Sequence, residues 1–146
     1  MDKITIVGLG LIGGSIGLAL KAAKLENVQI VGHDKEPSAS AKASKRGAVD
    51  KTDWNLINAV EGASLVIIAT PAMAIKEVMQ QIAPYLPEGA VVTDTGSTKA
   101  SILQWSSEIL PSHVSFVGGH PMAGKETPGI DGAEASLFKD KTYCII

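Results

Sequence analysis

Cysteine is almost absent from this chain of 146 residues, which also lacks a long uninterrupted hydrophobic run and a marked excess of either charge. The single cysteine, Cys144, cannot form an internal disulfide bond, and this favours a reducing compartment. We expect its side chain to be a small buried hydrophobe within a strand. The formal net charge of −2 predicts neither a nucleic-acid interface nor electrostatic attachment to an anionic membrane.

Patterns typical of metal sites and serine hydrolases are missing as well. The three histidines and one cysteine show no ligand spacing, so no metal is predicted, and no Gly-x-Ser-x-Gly elbow occurs. The apolar stretch from Ile4 to Leu20 follows Asp2 rather than a basic segment, and its glycines divide it into a strand and a helix. This stretch resembles neither a secretion signal nor a membrane span, and we expect a cytoplasmic protein.

The hydrophobic pattern indicates the fold class. Hydrophobic residues make up 45% and charged residues 19% of the chain, and the length predicts one domain over residues 1–146. Short apolar runs alternate with helical segments, as in parallel sheets buried on both faces. The predicted strands are 4–7, 29–31, 65–68, 90–93, 114–117 and 143–146; the predicted helices are 12–23, 37–45, 74–83 and 97–110. This order predicts an α/β fold of the Rossmann type, doubly wound, with a mostly parallel sheet and helices on both faces.

A glycine-rich turn follows the first predicted strand. It reads Gly8-Leu9-Gly10-Leu11-Ile12-Gly13, which has the form G-x-G-x-x-G and opens the first helix. In such turns the first glycine permits the bend, the second lets a pyrophosphate approach the backbone, and the third allows close packing of helix and strand. The helix N-terminus adds N–H groups and a positive dipole end for the anion. The predicted cofactor contacts are therefore Gly8, Gly10, Leu11, Ile12 and Gly13.

An acidic residue ends the second predicted strand. Such folds carry a ribose-binding carboxylate about 20 residues after the glycine turn, and Asp34 lies at that distance. A carboxylate there accepts hydrogen bonds from both adenosine ribose hydroxyls and repels a 2′-phosphate, which favours NAD over NADP as the cofactor. Lys35 could tolerate a phosphate, so the strictness of this preference stays open. His33 is expected to pack along the strand end.

Two further strand ends carry candidate site residues, because ligands of open α/β sheets bind beyond the carboxyl ends of the strands. Thr70 is predicted to line the cofactor site, and Pro71 to end the strand before it. At the next strand, we expect Asp94 to hydrogen-bond to its own loop and Lys99 to form an ion pair with Asp94 across the turn. Ser97 has two interpretations: it caps the following helix, or its hydroxyl bonds the substrate or the nicotinamide amide.

A histidine follows the strand predicted at 114–117. His120 lies between two glycines and a proline, in the segment Gly118-Gly119-His120-Pro121. An imidazole titrates near neutral pH, which suits proton transfer, and we predict that His120 is catalytic. The alternative is that it only braces the glycine-rich loop. His113, in the turn after Pro111, is expected to be solvated.

The segments 8–15, 94–99 and 119–124 together resemble the prephenate and arogenate dehydrogenases, and the resemblance extends over the whole chain. It implies that His120 is the catalytic histidine, that Ser97 touches substrate and nicotinamide, and that Glu126 helps to close the substrate pocket. It also implies that Thr70 and Pro71 form the cofactor-side loop. A helical domain that forms a homodimer and carries an arginine for the substrate carboxylate is expected beyond residue 146.

The resemblance implies a reaction in which NAD takes hydride from C4 of prephenate or arogenate while His120 takes the hydroxyl proton. Loss of CO2 then makes the ring aromatic, as in tyrosine biosynthesis. One alternative is another small-substrate NAD(P) dehydrogenase, such as a β-hydroxyacid dehydrogenase, which typically uses a lysine from its second domain. The other alternative is a dinucleotide-sensing module without chemistry.

Overall fold

The computed structural model describes residues 2–125 and 127–146. The strands are β1 (Asp2–Val7), β2 (Val28–His33), β3 (Lys51–Thr52), β4 (Leu65–Ile68), β5 (Val91–Asp94), β6 (Ser115–Val117), β7 (Gly119–Pro121) and β8 (Tyr143–Ile145). The helices are α1 (Leu11–Ala22), α2 (Pro37–Lys45), α3 (Leu56–Val60), α4 (Ala72–Ile82) and α5 (Lys99–Ile109), with short 3-10 turns at Ala83–Tyr85 and Ile130–Gly132.

The central sheet has six strands in the order β3-β2-β1-β4-β5-β6. All of its neighbouring strands are parallel. The chain runs from β1 towards one edge and then returns to β4 on the other side of β1. This reversal confirms the predicted doubly wound Rossmann-type fold, and it places the ligand crevice beyond the carboxyl ends of β1 and β4.

Both faces of the sheet are buried, as the continuous apolar runs predicted. Successive side chains of a strand point to opposite faces. Val66 and Ile68 therefore belong to one core cluster, with residues of α4 such as Met79, whereas Ile67 belongs to a second cluster with Ile30. The helices cover both faces and leave the carboxyl ends of the strands open.

Several predicted elements differ from the observed ones. The short strands β3 and β7 and the single-turn helix α3 were not predicted, because two to five residues are too few to show a period. Helix α4 begins at Ala72, directly after Pro71, which occupies its N-cap position. Helix α5 begins at Lys99 rather than at Ser97. No helix in the described ranges is long and apolar enough to cross a membrane.

The prediction of a buried strand at 143–146 is wrong. Strand β8 pairs antiparallel with β7, outside the six-stranded sheet, and its residues are exposed. The chain leaves β7, makes a long excursion and returns beside it, so β8 has β7 as its neighbour rather than an edge of the central sheet. Cys144 is consequently exposed, and the expectation that it is buried is also wrong.

Candidate active site

At Gly8 and Gly13, the turn between β1 and α1 has room for glycine only. Gly8 has a φ of 99°, and a Cβ on it would lie 2.7 Å from the carbonyl carbon and oxygen of Ala69. A Cβ on Gly13 would run directly into the carbonyl oxygen of Gly8. Around Gly10, by contrast, no described atom lies within 4 Å of the Cβ position. The turn is therefore tight towards the sheet and open at Gly10, where helix α1 begins.

Asp34 lies directly beside this turn. Its Oδ2 accepts a hydrogen bond from the backbone N–H of Leu9 at 2.7 Å, and its Oδ1 accepts one from the backbone N–H of Glu36 at 2.8 Å. These two bonds hold the carboxylate at the end of β2, with its charge next to the glycine turn. An anionic acceptor and the N-terminus of α1 are thus brought to the same edge of the sheet.

A cleft of about 450 Å³ opens between the ends of β1, β2 and β4. Its walls include five of the residues predicted to bind the cofactor, namely Gly8, Gly10, Asp34, Thr70 and Pro71. The hydroxyl oxygen of Thr70 is buried and has no hydrogen-bond partner among the described residues. A ligand in the cleft could satisfy this oxygen.

The other predicted cofactor residues do not line this cleft. Leu11 and Ile12 lie half-buried in the first turn of α1, and Gly13 packs against the glycine turn itself. Ser97 is exposed at the end of the neighbouring β5. Glu126 lies outside the described residues.

Some walls of the cleft were not predicted from the sequence. Ala74, Val78 and Gln81 of α4 line it, as does Leu56 at the start of α3. His33, expected only to pack, also lines the cleft, and its Nδ1 lies 2.9 Å from the carbonyl oxygen of Asp53. The apolar period of α4 could have indicated a buried face, but not which of its residues border the crevice.

At the carboxyl end of β5, the buried carboxylate of Asp94 organises the loop that precedes α5. Its Oδ2 accepts a hydrogen bond from the backbone N–H of Gly96 at 2.8 Å and pairs with the ammonium of Lys99. Both expectations for Asp94 and Lys99 are thereby confirmed. The N-cap residue of α5 is Thr98, without a side-chain cap, so the interpretation of Ser97 as the N-cap is wrong. The loop simply continues past Ser97 before the helix begins.

His120 lies on β7, half-buried and opposite Cys144 of β8. The preceding residue, Gly119, donates its backbone N–H to Oδ1 of Asp94 at 3.2 Å. A Cβ on Gly119 would lie 2.7 Å from the carbonyl oxygen of Asp94 and 2.8 Å from the hydroxyl of Tyr143. Strand β7 is therefore held closely against the end of β5. The segments that carry Ser97 and His120 are both hydrogen-bonded to Asp94. His113 is exposed, and its Nε2 lies 3.1 Å from the carbonyl oxygen of Leu86.

The chain after His120 returns to pack against helices α1 and α2. The backbone N–H of Glu134 donates to Oγ of the buried Ser15 at 3.0 Å. Arg46 donates to the carbonyl oxygen of Ile130 at 2.6 Å. The side chain of Ile130 occupies the space next to Gly14. The small residues of α1 therefore make room for this returning segment.

The phenol of Tyr143 lies near the buried carboxylate of Asp94. Partial burial raises the pKa of this phenol above its ordinary value, and the Asp94 carboxylate raises it further. Within residues 2–125 and 127–146, no cluster of three or more His, Cys, Asp or Glu side chains could hold a metal ion.

A doubly wound sheet with a glycine turn, a carboxylate at the end of β2 beside that turn and an open crevice is typical of a dinucleotide-binding domain. Residues 16–146 match the family described as prephenate dehydrogenase, nucleotide-binding domain, and the chain belongs to this family. It is 39% identical to the prephenate dehydrogenase of Lactococcus lactis subsp. cremoris (strain MG1363) over 147 residues, which cover 99% of this chain and 41% of that protein. The predicted resemblance is confirmed.

Solved structures agree with this assignment. Synechocystis arogenate dehydrogenase superposes with a TM-score of 0.88 at 34% identity, covering 98% of this chain and 49% of that one. Prephenate dehydrogenase from A. aeolicus, in complex with hydroxyphenyl propionate and NAD+, superposes with a TM-score of 0.88 at 29% identity, covering 99% of this chain and 50% of that one. The chain therefore spans about two fifths to one half of the length of these relatives.

Proposed function

We propose that this chain binds NAD and contributes the hydride-accepting half of an enzyme that oxidatively decarboxylates prephenate or arogenate. The observation that carries the proposal is the convergence of Gly8, Gly10, Asp34, Thr70 and Pro71 on one cleft at the switch point of the sheet. Membership of the prephenate dehydrogenase family supports the substrate class. The complex of the A. aeolicus relative with NAD+ supports the cofactor.

The residues of the cleft fit NAD. Gly10 leaves the backbone open to a pyrophosphate, and the N–H groups at the start of α1 suit its charge. Asp34 offers carboxylate oxygens beside this turn for the ribose hydroxyls. The buried hydroxyl of Thr70 offers a donor that no described residue uses. Gly8, Gly10, Asp34, Thr70 and Pro71 would hold the cofactor, with Leu11, Ile12 and Gly13 forming the turn around it.

The chemistry that bound NAD supplies is acceptance of a hydride from C4 of the substrate ring. The neutral imidazole of His120 accepts the proton of the C4 hydroxyl as the carbonyl forms. The hydroxyl of Ser97 orients the substrate and the carboxamide of the nicotinamide. The bond between C1 and the carboxylate then breaks, CO2 leaves, and the electron pair of that bond completes the aromatic ring. The C4 oxygen takes a proton back from His120 to give the phenol. General-base assistance of this kind contributes about 10²–10⁴-fold in rate.

The remaining parts of the proposal come from the family resemblance. They are a helical domain beyond residue 146, a homodimer formed through it, an arginine for the substrate carboxylate, and closure of the pocket by Glu126. We place the activity in the cytoplasm, which suits the lone, exposed Cys144.

The test is an assay of the enzyme that contains this domain with prephenate and with arogenate, each in the presence of NAD or NADP. We expect reduction of NAD together with release of CO2 from at least one of the two substrates. NAD binding without turnover of either substrate would favour a dinucleotide-sensing module. Oxidation of a β-hydroxyacid instead would favour the other dehydrogenase class.

A further inference from the structure

The side chain of Asp94 is fully buried at the carboxyl end of β5, and its two oxygens serve different elements. Oδ2 accepts the backbone N–H of Gly96 at 2.8 Å and pairs with the ammonium of Lys99, whose side chain is 11% exposed. Oδ1 accepts the backbone N–H of Gly119 at 3.2 Å. One buried carboxylate thus connects the loop before α5 with strand β7.

The two backbone amides that Asp94 holds stand directly before the two residues assigned to the substrate. Gly96 precedes Ser97, and Gly119 precedes His120. We propose that Asp94 is the positioning residue of the active site, which sets the places of Ser97 and His120 relative to each other through these two amides. This inference rests on the proposed function, in which both residues meet the substrate.

The local packing explains why a carboxylate is required at this position. A carboxylate is acceptor-only and can receive several donors at once, whereas one half of an asparagine amide is itself a donor. An asparagine at residue 94 would therefore either lose the bond to Gly119 or turn its NH₂ group towards Gly96 and Lys99. It would also leave the buried ammonium of Lys99 without its partner.

Strand β7 packs closely against the end of β5 at Gly119. A Cβ on Gly119 would lie 2.7 Å from the carbonyl oxygen of Asp94 and 2.8 Å from the hydroxyl of Tyr143. Loss of the Oδ1 bond would remove the side-chain contact that fixes Gly119 in this position, so the segment that carries His120 would shift. A misplacement of about 1 Å in such a constellation can cost about 10²-fold in rate.

The experiment is a double-mutant cycle of Asp94→Asn and His120→Asn in the enzyme that contains this domain, assayed with NAD and prephenate or, if that is the better substrate, arogenate. Asp50→Asn is the matched control. Its carboxylate also accepts a backbone N–H, that of Ile30 at 2.7 Å, and also pairs with a lysine, Lys21, but it lies directly before β3. NAD affinity is measured for every variant by calorimetry.

We expect Asp94→Asn to lower kcat about 10- to 100-fold with NAD affinity within about twofold of the parent. In the His120→Asn background, Asp94→Asn should lower kcat less than about threefold, since the effects of groups that act as a unit are not additive. Asp50→Asn should change kcat less than about twofold in either background, because surface changes are mostly small. If Asp94→Asn is too unstable to purify, the same cycle is run in a Lys99→Met background, where no buried cation is left unpaired.

The possible outcomes separate this inference from the proposed function. Equal losses from Asp94→Asn in the presence and absence of His120 would overturn the positioning role, as would a loss no larger than that of Asp50→Asn. Full activity of His120→Asn would remove His120 from the mechanism and with it this inference, whereas the proposed function itself would be overturned if the parent enzyme turned over neither prephenate nor arogenate. Loss of activity in His120→Asn together with an additive Asp94→Asn would leave the proposed function standing and remove only this inference.

Discussion

The carboxylate of Asp34 accepts a hydrogen bond from the backbone N–H of Leu9 at 2.7 Å, which joins the end of β2 to the glycine turn between β1 and α1. A second bond, from the N–H of Glu36 at 2.8 Å, fixes the other oxygen of the same carboxylate. The carboxylate and the glycine turn are thus joined in one unit. A ligand that contacts both would meet a preformed site, so little ordering would be required on binding.

Replacing Asp34 tests the preference for NAD. We expect NAD to bind more tightly than NADP to the parent, because the carboxylate accepts ribose hydroxyls and repels a 2′-phosphate. Asp34→Ala should weaken NAD binding about 10- to 100-fold, the equivalent of one hydrogen bond to a charged group, and should reduce the discrimination. Calorimetric titration with each cofactor measures both effects.

The control for Asp34→Ala is Asp53→Ala. It removes a carboxylate that accepts the N–H of Asn55 at 2.9 Å in a nearby loop and that does not line the cleft. This variant should bind both cofactors as the parent does. Equal affinity of the parent for NAD and NADP would contradict the role assigned to Asp34.

Replacing Gly10 separates ligand approach from folding. Gly10 has a φ of −89°, and its Cβ position is open, so Gly10→Ala should keep the free energy of unfolding within about 0.5 kcal/mol of the parent. The added methyl group occupies the space through which a pyrophosphate reaches the backbone, so NAD affinity should fall at least about tenfold. Thermal unfolding and calorimetry check the two parts independently.

Two other glycines give the comparisons for Gly10→Ala. Gly124 also has open space at its Cβ position but lies outside the glycine turn, so Gly124→Ala should leave stability and NAD affinity unchanged. Gly13→Ala should destabilise the domain outright, because its Cβ would meet the Gly8 carbonyl. If NAD bound equally to the parent and to a folded Gly10→Ala variant, the phosphate site would have to lie elsewhere.

Replacing His120 tests the general base. Only a neutral imidazole accepts a proton, so kcat of the enzyme that contains this domain should fall towards acidic pH. His120→Asn should lower kcat by about 10²–10⁴-fold and remove this acidic decline, with NAD affinity nearly unchanged. The measurement is a pH–rate profile of both proteins with an NAD titration of each.

His113→Asn is the control for this profile, since His113 is exposed at the opposite end of β6 from the segment that carries His120. It should reproduce the parental curve. A His120→Asn enzyme with near-parental kcat and the same acidic decline would remove His120 from the mechanism and make Ser97 the next candidate.

Replacing Asp50 tests an electrostatic contribution to stability. The hydrogen bond from Lys21, with that from the N–H of Ile30, lowers the pKa of the Asp50 carboxyl below its ordinary value. The stabilisation is therefore present above the unfolded pKa of about 3.9 and is lost as the pH falls through the lower folded pKa. Asp50→Asn should cost about 1 kcal/mol at pH 7, since the side chain is 30% exposed and partly screened by solvent.

Urea unfolding of the parent and Asp50→Asn at pH 7 and at progressively lower pH measures this difference. The two curves should converge in acid. Asp131→Asn is the control, because Asp131 pairs with Lys42 at 3.2 Å with a side chain that is 66% exposed, and its replacement should change little. A difference that grew in acid would contradict the direction of the Asp50 shift.

Much of the fold followed from the sequence because the apolar runs of β1 and β4 are continuous and the glycine turn has a fixed spacing. The strand predicted at 143–146 failed for a physical reason: an apolar run predicts a strand but not its neighbour, and β8 pairs with β7. The wall formed by Ala74 and Val78 was missed because helical periodicity does not reveal which residues border a crevice.

Within the site, turn chemistry was more predictable than tertiary contact. The hydrogen bond that Asp94 accepts from Gly96 joins residues two positions apart along the chain, which is a common turn pattern. The hydrogen bond that Asp94 accepts from Gly119 joins segments far apart in sequence, and no local sequence pattern predicts it. Of the two interpretations of Ser97, the capping role is wrong because the loop extends to Thr98 before α5 begins.

The pairing of β7 with β8 has a consequence for the order in which the domain is assembled. The strands around the cleft, β1, β2 and β4, precede residue 95, whereas the partner strand of the segment that carries His120 is Tyr143–Ile145, which is synthesised later. A two-stranded ribbon is marginally stable by itself. In native-state hydrogen exchange, the amides of β7 and β8 should therefore open before those of β1 and β4. The imidazole would thus belong to the last segment to fold and the first to unfold.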